Sequence, residues 1–243
     1  MSSEEEASAT GSTRELMTLF WRGHSKEANL QEMFLDNEAD HLAVTETPEI
    51  LAMLPNYKDK DVVELGAGIG RFTTSLAKSS KSVVAVDFIQ NFVEKNRETN
   101  GHYGNTTFTC ADVTQLDLPS SSADVIFSNW LLMYLSDEEI VTLTRKVLSW
   151  LRDDGYFFFR ESCHHSSGTK PLVDDFNPTV YRSPADYSCL LQSVTSQADD
   201  GEPFTFKLVY STNVQTYAKM KHNENQICWL FKKTRRNKDD IHS

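Results

Sequence analysis

The 243 residues are enough for one α/β domain with additions, and 39% hydrophobic residues, including 14 Phe, can fill a sizeable core. The net charge of −11 argues against a broad nucleic-acid interface, and no apolar run approaches the ~18 residues of a membrane span. The acidic N-terminus lacks the apolar core of a signal peptide, and the four cysteines form no C-x-x-C pair. We therefore expect a reduced, cytoplasmic, monomeric protein with neither nucleic acid nor a membrane among its partners.

The first 60 residues predict a tail followed by a helical cap. Residues 1–13 mix Ser, Glu, Thr and Gly and are expected to be a disordered tail. Residues 14–20 are amphipathic, and a helix is predicted around residues 29–35. Thr47-Pro48-Glu49 has the pattern of a helix start, because it combines an N-cap hydroxyl, a first-turn proline and an acid. Residues 14–60 are expected to lie across the mouth of a sheet.

The stretch from residue 61 to 70, Asp-Val-Val-Glu-Leu-Gly-Ala-Gly-Ile-Gly, predicts a strand that ends in a glycine-rich turn. Residues 71–78 continue as a helix, which completes the first unit of a doubly wound nucleotide-binding sheet. A second strand ends at Asp87, 21 positions after Gly66, where such folds bind the hydroxyl groups of a ribose.

Three interpretations of this glycine motif differ in what they bind. A dinucleotide fingerprint requires glycine at its sixth position, where Arg71 stands, so an NAD-dependent oxidoreductase is disfavoured. The frame with Glu64 before Leu-Gly-Ala-Gly resembles the first motif of class I S-adenosylmethionine-dependent methyltransferases. A glycine turn that binds nothing is the third interpretation.

The rest of the chain alternates strands and helices, which predicts an α/β fold with a doubly wound, mostly parallel, seven-stranded sheet and an N-terminal helical cap. A capping box at Ser136 begins one helix, which we expect to end at Gly155. We expect a single methyltransferase domain over residues 14–235 and a tail over residues 236–243. Further strands are predicted at residues 106–110, 124–128, 156–159, 205–210 and 226–231, and further helices at 49–54, 91–99, 140–151 and 184–191.

Polar residues at four successive strand ends predict the cofactor site, because parallel strands present their carboxyl ends at one edge. Asp87 suits both ribose hydroxyls, and Asp112 suits the amine of an adenine. A sulfonium without phosphates fits a glycine turn that has acids nearby and no lysine, which favours S-adenosyl-L-methionine, with S-adenosyl-L-homocysteine as its product. The predicted cofactor-binding residues are Glu64, Gly66, Gly68, Arg71, Asp87, Phe88, Asp112, Val113, Asn129 and Trp130.

Several strings carry a more specific resemblance. They begin at Glu64 (ELGAGIGRF), Ala111 (ADVT), Phe127 (FSNWLLMYLS), Phe159 (FRESC), Asn177 (NPTVYR) and Asn225 (NQICW). They are similar to strings of the plant and nematode phosphoethanolamine N-methyltransferases, over about residues 21–233. The resemblance implies the N-terminal type of catalytic domain, which methylates phosphoethanolamine to its monomethyl form at the start of phosphocholine synthesis. The other type is associated with an active-site Tyr/His pair, and Tyr134 stands at the histidine position here.

A dianionic phosphate requires hydroxyl, guanidinium, ammonium or backbone N–H donors. The irregular segment 162–182 offers such donors, and the resemblance favours a substrate loop there over a flexible surface crossover. The segment belongs to the predicted substrate half, residues 162–235, which follows the cofactor half, residues 61–161. The predicted substrate-binding residues are Ser162, Ser167, Gly168, Thr169, Tyr181, Arg182, Tyr187 and Lys219.

Methyl transfer to nitrogen requires the amine to lose one proton first. Tyr134, His165 and His24 are the candidates to accept or relay it, while Trp21 and Trp130 can contact the cationic amine. No His/Cys cluster has metal-ligand spacing, so no metal is expected. A methyltransferase acting on another small amine or on a carboxylate, and a non-catalytic domain that binds the cofactor as a scaffold, remain as alternatives.

Overall fold

The computed structural model describes residues 13–24, 26–168, 179–196 and 203–236. Within these ranges eight strands form one sheet: β1 (Asp61–Leu65), β2 (Ser82–Asp87), β3 (Thr106–Cys110), β4 (Ala123–Asn129), β5 (Leu151–Ser162), β6 (Thr195–Ser196), β7 (Phe204–Asn213) and β8 (Gln226–Arg235). The α-helices of the same ranges are α1 (Thr13–His24), α2 (Leu30–Phe34), α3 (Ala39–Met53), α4 (Thr73–Ser79), α5 (Gln90–Asn100), α6 (Asp137–Trp150), α7 (Pro184–Gln192) and α8 (Gln215–Lys221). Short 3₁₀ turns lie at Gly101–Tyr103 and Leu132–Tyr134.

The strand order is β3-β2-β1-β4-β5-β8-β7-β6, which confirms the doubly wound, mostly parallel sheet. The first five strands of this order pair in parallel, and β8, β7 and β6 add antiparallel pairs at one side. The order reverses direction between β1 and β4, where such folds bind their ligands. The sheet has one strand more than the seven expected, because the two-residue β6 extends the antiparallel side.

Helices cover both faces of the sheet, so its central strands are buried on both sides. Successive residues of β5 project to opposite faces. Phe157 and Phe159 join a core that contains Trp229, whereas Phe158 stacks on Phe127 in the core of the other face. This double burial explains why the Tyr-Phe-Phe-Phe run is continuously aromatic.

Two predicted helix boundaries were wrong. Helix α3 begins at Ala39, and Pro48 lies inside it rather than at its first turn. Pro48 has no N–H to donate to the carbonyl of Val44, four residues earlier. Val44 is 76% exposed, so water can donate to that carbonyl instead. Helix α6 begins with the expected capping box at Ser136 but ends at Trp150, and Gly155 lies within β5.

The short helix α8 between β7 and β8 was not predicted. Its N-cap residue, Val214, provides no side-chain hydrogen bond. Instead the carboxylate of Glu49 on α3 accepts the N–H of Gln215 and, at 2.9 Å, that of Thr216. The first turn of α8 is therefore stabilised by a distant helix, which leaves no local capping signal in the sequence.

The N-terminal helices α1 and α2 lie over the carboxyl ends of the parallel strands. Met17 and Trp21 of α1 are buried, and Trp21 meets the ring of Tyr134 edge-on with centroids 5.2 Å apart. None of the helices that the structure describes combines the length and the apolar character needed to cross a bilayer.

Candidate active site

A concave feature, here called the main cleft, opens where the strand order reverses. It encloses about 940 Å³ including its mouth, and it is covered by apolar side chains of α1 and α2. Most of the residues predicted to bind a cofactor line it, namely Gly66, Arg71, Asp87, Phe88, Asp112, Val113, Asn129 and Trp130. The structure therefore brings these strand-end residues together in one cleft.

The glycine-rich turn after β1 leaves almost no free space beside its backbone. Gly68 has a φ of +54° and Gly70 a φ of +91°, which L side chains rarely adopt. A Cβ on Gly68 would overlap the terminal methyl of Met33, and one on Gly70 would overlap the side-chain amide of Asn96. The backbone angle requires glycine at both positions; at Gly70 the hydrogen-bonded amide of Asn96 adds a steric reason, whereas at Gly68 the flexible end of Met33 would have to move.

Asp87, at the end of β2, has a buried carboxylate that is oriented by backbone donors. One oxygen accepts the N–H of Gly68 at 2.8 Å and the other accepts the N–H of Ile89 at 2.9 Å. Burial raises the pKa of Asp87 to about 6, although these backbone N–H groups pull it down. Each oxygen retains a lone pair, so the carboxylate can accept two hydroxyl groups.

Asp112, after β3, ties the rim of the cleft to the N-terminal helix. It accepts the backbone N–H and the hydroxyl of Thr114, both at 2.9 Å. Arg14 of α1 lies 3.5 Å from its carboxylate and pairs with Glu139 at 2.7 Å. Helix α1 is therefore attached to the side of the cleft on which Asp112 and Val113 lie.

The wall at the end of β4 is formed by Trp130, whose φ of +55° is unusual for a residue with a side chain. Its backbone N–H donates to the carbonyl of Arg160 at 2.8 Å. Its indole N–H donates to the side-chain oxygen of Gln226 at 2.9 Å. Contacts from two other strands therefore hold the ring in place.

A smaller cavity of about 370 Å³, here called the side cavity, adjoins the main cleft, and Trp130 and Tyr134 line both. The Gln226 amide donates to the hydroxyls of Ser162 at 2.8 Å and Ser167 at 2.5 Å. These polar groups can bind an anion or another hydrogen-bonding ligand. Of the predicted substrate residues, Ser162, Ser167, Gly168 and Tyr181 line this cavity.

Tyr134 lies at the junction of the two cavities and is 8% exposed. Burial raises the pKa of Tyr134 far above its ordinary value, so the phenol stays neutral at physiological pH. Thr179 is hydrogen-bonded to it. A neutral phenol can orient an amine by hydrogen bonding, but it is a weak base.

The chain matches known methyltransferases in sequence. Residues 62–155 match the family model described as a methyltransferase domain. The chain is 47% identical over 228 residues to Phosphoethanolamine N-methyltransferase 1 of Zea mays, covering 93% of this chain and 45% of the relative. It is 37% identical over 246 residues to Phosphoethanolamine N-methyltransferase 1 of Caenorhabditis elegans, covering 96% of this chain and 52% of the relative.

The fold matches as well. The structure of Haemonchus contortus Phosphoethanolamine N-methyltransferase 1 in complex with phosphoethanolamine and S-adenosylhomocysteine aligns with a TM-score of 0.89 at 38% identity. The alignment covers 95% of this chain and 51% of that one. The chain therefore resembles these phosphoethanolamine N-methyltransferases in sequence and in fold over nearly its whole length. It spans about half the length of the relatives named above.

Two residues that were predicted to bind the cofactor, Glu64 and Gly68, do not line the main cleft. Glu64 is buried and accepts the hydroxyl of Thr73 at 2.5 Å. Burial raises the pKa of Glu64 to about 8, so its carboxyl is protonated at neutral pH. Gly68 donates its N–H to Asp87 and Glu64 accepts the hydroxyl of Thr73, so both support the cleft from behind, and a direct contact of either with the ligand stays a prediction.

Neither predicted histidine lines the main cleft or the side cavity. His24 Nδ1 lies 2.6 Å from the carboxylate of Glu32, which joins α1 to α2. His165 is exposed, and its ring contacts the side-chain amide of Asn225 at 3.1 Å. The geometry does not support either as proton acceptor, and Tyr134 is the candidate that reaches both cavities.

Arg182 also departs from its predicted role. Its guanidinium is buried and donates to Asp137 at 2.7 Å and to the carbonyl of Leu135 at 2.7 Å. A third bond, at 3.3 Å, goes to the carbonyl of Leu132. Arg182 therefore stabilises the 3₁₀ turn that carries Tyr134, and it does not line the side cavity.

The remaining predicted substrate residues lie elsewhere. Tyr187 is fully buried and packs against Trp229 in the core, with ring centroids 5.4 Å apart. Lys219 is exposed on α8. Thr169 lies outside the described residues. In the part of the chain that the structure describes, no three His, Cys, Asp or Glu side chains come together as metal ligands would.

The sequence prediction missed Gln226, Met33 and Phe34, all of which line the side cavity. Gln226 stands inside a string that resembles the family, and a polar residue that opens an apolar strand was an available signal. Met33 and Phe34 belong to the short helix α2. Their apolar side chains are indistinguishable from ordinary core residues in the sequence.

Proposed function

We propose that this domain is an S-adenosylmethionine-dependent N-methyltransferase that converts phosphoethanolamine to its monomethyl form. The observation that carries the proposal is the pair of adjoining cavities that share Trp130 and Tyr134. One cavity has acids at its strand ends, and the other is lined by hydroxyl and amide groups. The related Haemonchus contortus protein is in complex with phosphoethanolamine and S-adenosylhomocysteine.

The residues of the main cleft suit a cationic cofactor without phosphates. The two arginines that line it, Arg14 and Arg71, are engaged by Glu139 and Glu46 and are not available as a phosphate site. Asp87 would accept the ribose hydroxyls, as its free lone pairs allow. Asp112 would accept the amine of the adenine, with Val113 and Phe88 beside the adenine ring. Gly66 and Asn129 would hold the amino-acid end of the cofactor.

The side cavity would hold the phosphate of the acceptor. Ser162 and Ser167 accept hydrogen bonds from Gln226, and Ser162 donates its own hydrogen to the carbonyl of His165 at 3.0 Å. Ser167 also accepts from the amide of Asn223 at 3.0 Å. With both of its acceptor positions used, the Ser167 hydroxyl donates its hydrogen to Ser162 Oγ, 3.2 Å away, and it can turn that hydrogen toward an anionic oxygen that enters the cavity.

When bound, S-adenosylmethionine supplies an electrophilic methyl group and leaves as S-adenosylhomocysteine. The protein must hold the amine nitrogen in line with that methyl, and alignment of this kind can contribute about 7 kcal/mol to a barrier. Trp130 and Tyr134 form the walls of the junction between the two cavities, where they would exclude water. The neutral Tyr134 hydroxyl can accept an N–H of the amine and thereby orient the nitrogen lone pair.

A methyl-transfer assay with labelled S-adenosylmethionine tests the proposal. The acceptors are phosphoethanolamine, its mono- and dimethyl forms, and free ethanolamine. We expect the highest kcat/KM with phosphoethanolamine. Equal activity on free ethanolamine would contradict the phosphate assignment, whereas cofactor binding without transfer to any acceptor would indicate a scaffold domain.

We further propose that residues 14–235 act as a single monomeric domain in the cytoplasm, with cofactor contacts in residues 61–161 and substrate contacts in residues 162–235. The four unpaired cysteines are compatible with a reducing compartment. Within the described residues, the large exposed apolar side chains are Leu19 on α1, Val44 on α3, Val209 on β7 and Val180 in the connection before α7. Sedimentation at several concentrations would detect self-association, and imaging of a tagged chain would test the compartment.

A further inference from the structure

Glu161 near the end of β5 carries a fully buried carboxylate that accepts three consecutive backbone N–H groups. One oxygen accepts from Leu131 at 3.1 Å and Leu132 at 2.8 Å, and the other accepts from Met133 at 3.3 Å. These N–H groups belong to the segment that enters the 3₁₀ turn, where the backbone has no partners of its own. Glu161 supplies those partners.

Arg160, the preceding residue, holds the beginning of the same segment from the other face of the sheet. Its guanidinium lies 3.7 Å from the ring centroid of Trp130 and donates to Asn129 at 3.2 Å. It is fully buried and pairs with the equally buried Glu46 at 2.7 Å. Its carbonyl accepts the N–H of Trp130.

The two adjacent residues therefore contact every position from Asn129 to Met133, and Tyr134 follows at once. This segment, residues 129–134, is called the shared wall below, because its Trp130 and Tyr134 line both cavities. Burial raises the pKa of Glu161 to about 7, against the effect of its three amide donors and of Arg160. Buried charges are expensive, and apolar residues of similar size often give an equally stable core.

We propose that Arg160 and Glu161 are positioning residues for methyl transfer: they set the shared wall so that Trp130 and Tyr134 face the acceptor amine. The proposal rests on the proposed function. Glu161 acts mainly on Tyr134, because its three bonds end at the residue before it. Arg160 acts mainly on Trp130, because it stacks on that ring and binds its backbone N–H. Neither residue lines the main cleft or the side cavity, so each acts through the shared wall.

The decisive variant is Glu161→Gln, which keeps the size of the side chain and one acceptor oxygen. If that oxygen keeps the N–H groups of Leu131 and Leu132, the new NH₂ faces the N–H of Met133, and the turn must shift. The matched control is Glu98→Gln, an exposed residue of α5. Arg160→Lys is the second variant, because it keeps the charge beside Glu46 and removes the planar face from Trp130.

We expect Glu161→Gln to lower kcat by about 10- to 100-fold, the range for a misplacement of about 1 Å. The Kd for S-adenosylhomocysteine and the KM for phosphoethanolamine should stay within about threefold. Arg160→Lys should raise that KM by about tenfold, as expected for the loss of a buried charged contact. Glu98→Gln should match the wild type. A lower kcat and melting temperature together with a higher KM and cofactor Kd in both variants would indicate general structural damage and overturn the proposal.

Amide hydrogen exchange separates this inference from the proposed function. In Glu161→Gln, exchange at residues 131–133 should rise by about tenfold or more while α6 stays protected. Unchanged protection together with unchanged kcat would overturn the positioning role. If the wild type methylates no phosphoethanolamine, the proposed function fails. Hydrogen exchange at residues 131–133 and the cofactor Kd still show whether Arg160 and Glu161 hold the shared wall in position. If Glu161→Gln does not fold, Arg160→Lys is judged by the same measurements.

Discussion

The indole N–H of Trp130 donates to the side-chain oxygen of Gln226 at 2.9 Å, and this contact orients the hydrogen bonds of the side cavity. Because an indole is only a donor, it determines which end of the Gln226 amide is the oxygen. The opposite NH₂ must then donate to Ser162 and Ser167. A residue of the shared wall thereby sets the hydroxyl directions where the phosphate is proposed to bind.

Gln226→Leu should disrupt this arrangement while the size of the side chain is nearly preserved. The indole N–H loses its acceptor and both serines lose a donor, so we expect the KM for phosphoethanolamine to rise by about tenfold or more. The Kd for S-adenosylhomocysteine, measured by calorimetry, should change by less than about threefold. Gln192→Leu, an exposed residue on α7, is the control. An unchanged KM would show that the phosphate binds without these serines.

Cofactor binding should depend on pH through Asp87. Its pKa is raised from 3.8 to about 6, so the ionised form that accepts ribose hydroxyls predominates above that value and is lost below it. We expect the affinity for S-adenosylhomocysteine to be constant above pH 7 and to fall by up to about tenfold per unit below pH 6. Asp87→Asn should bind weakly with no such dependence between pH 5 and 8. A wild-type affinity that stays flat to pH 5 would contradict the assignment.

Gly68→Ala should damage the cleft more than its backbone strain alone explains. The new methyl would overlap Met33, and φ is +54°. Gly104→Ala is a matched control, because Gly104 has a φ of +73° and no neighbouring atom within 4 Å of the position that a Cβ would take. Both variants should lose about 1–3 kcal/mol of stability from strain. Calorimetry should show that only Gly68→Ala weakens S-adenosylhomocysteine binding, and equal binding by the two variants would rule out the overlap as the cause.

Tyr134→Phe tests whether the hydroxyl at the junction of the cavities takes part in the reaction. The ring keeps its contact with Trp21, so thermal stability should change little. If the hydroxyl orients the amine, kcat should fall by about 10- to 100-fold while cofactor Kd is preserved. Tyr103→Phe, on the 3₁₀ turn after α5, is the control. Activity within about twofold of wild type would assign Tyr134 to packing alone.

Much of the cofactor side was predictable because its signals are local. A glycine turn requires glycine through its own backbone angles, and an acid that follows a strand lies at the sheet edge wherever that strand is placed. Asp87, Asp112 and Asn129 were located in this way, and all three line the main cleft. Glu64 does not line the main cleft, because its alternation along β1 directs its side chain toward Thr73.

The substrate side was less predictable, since donors in an irregular loop have no periodicity that shows where they point. Arg182 had the chemistry of a phosphate ligand, yet it binds backbone carbonyls of the 3₁₀ turn. Gln226 lacked a distinctive motif, yet it connects two serines to Trp130.

The sequence by itself determined the doubly wound sheet, the glycine turn and the acids at the strand ends, because each depends on residues close together in the chain. The tertiary structure alone decided which buried polar groups hold the shared wall. Glu46 meets Arg160, and Trp130 meets Gln226, only after the sheet has brought separate segments together. A buried donor or acceptor must find its partner in three dimensions, and no local pattern encodes which distant residue provides it.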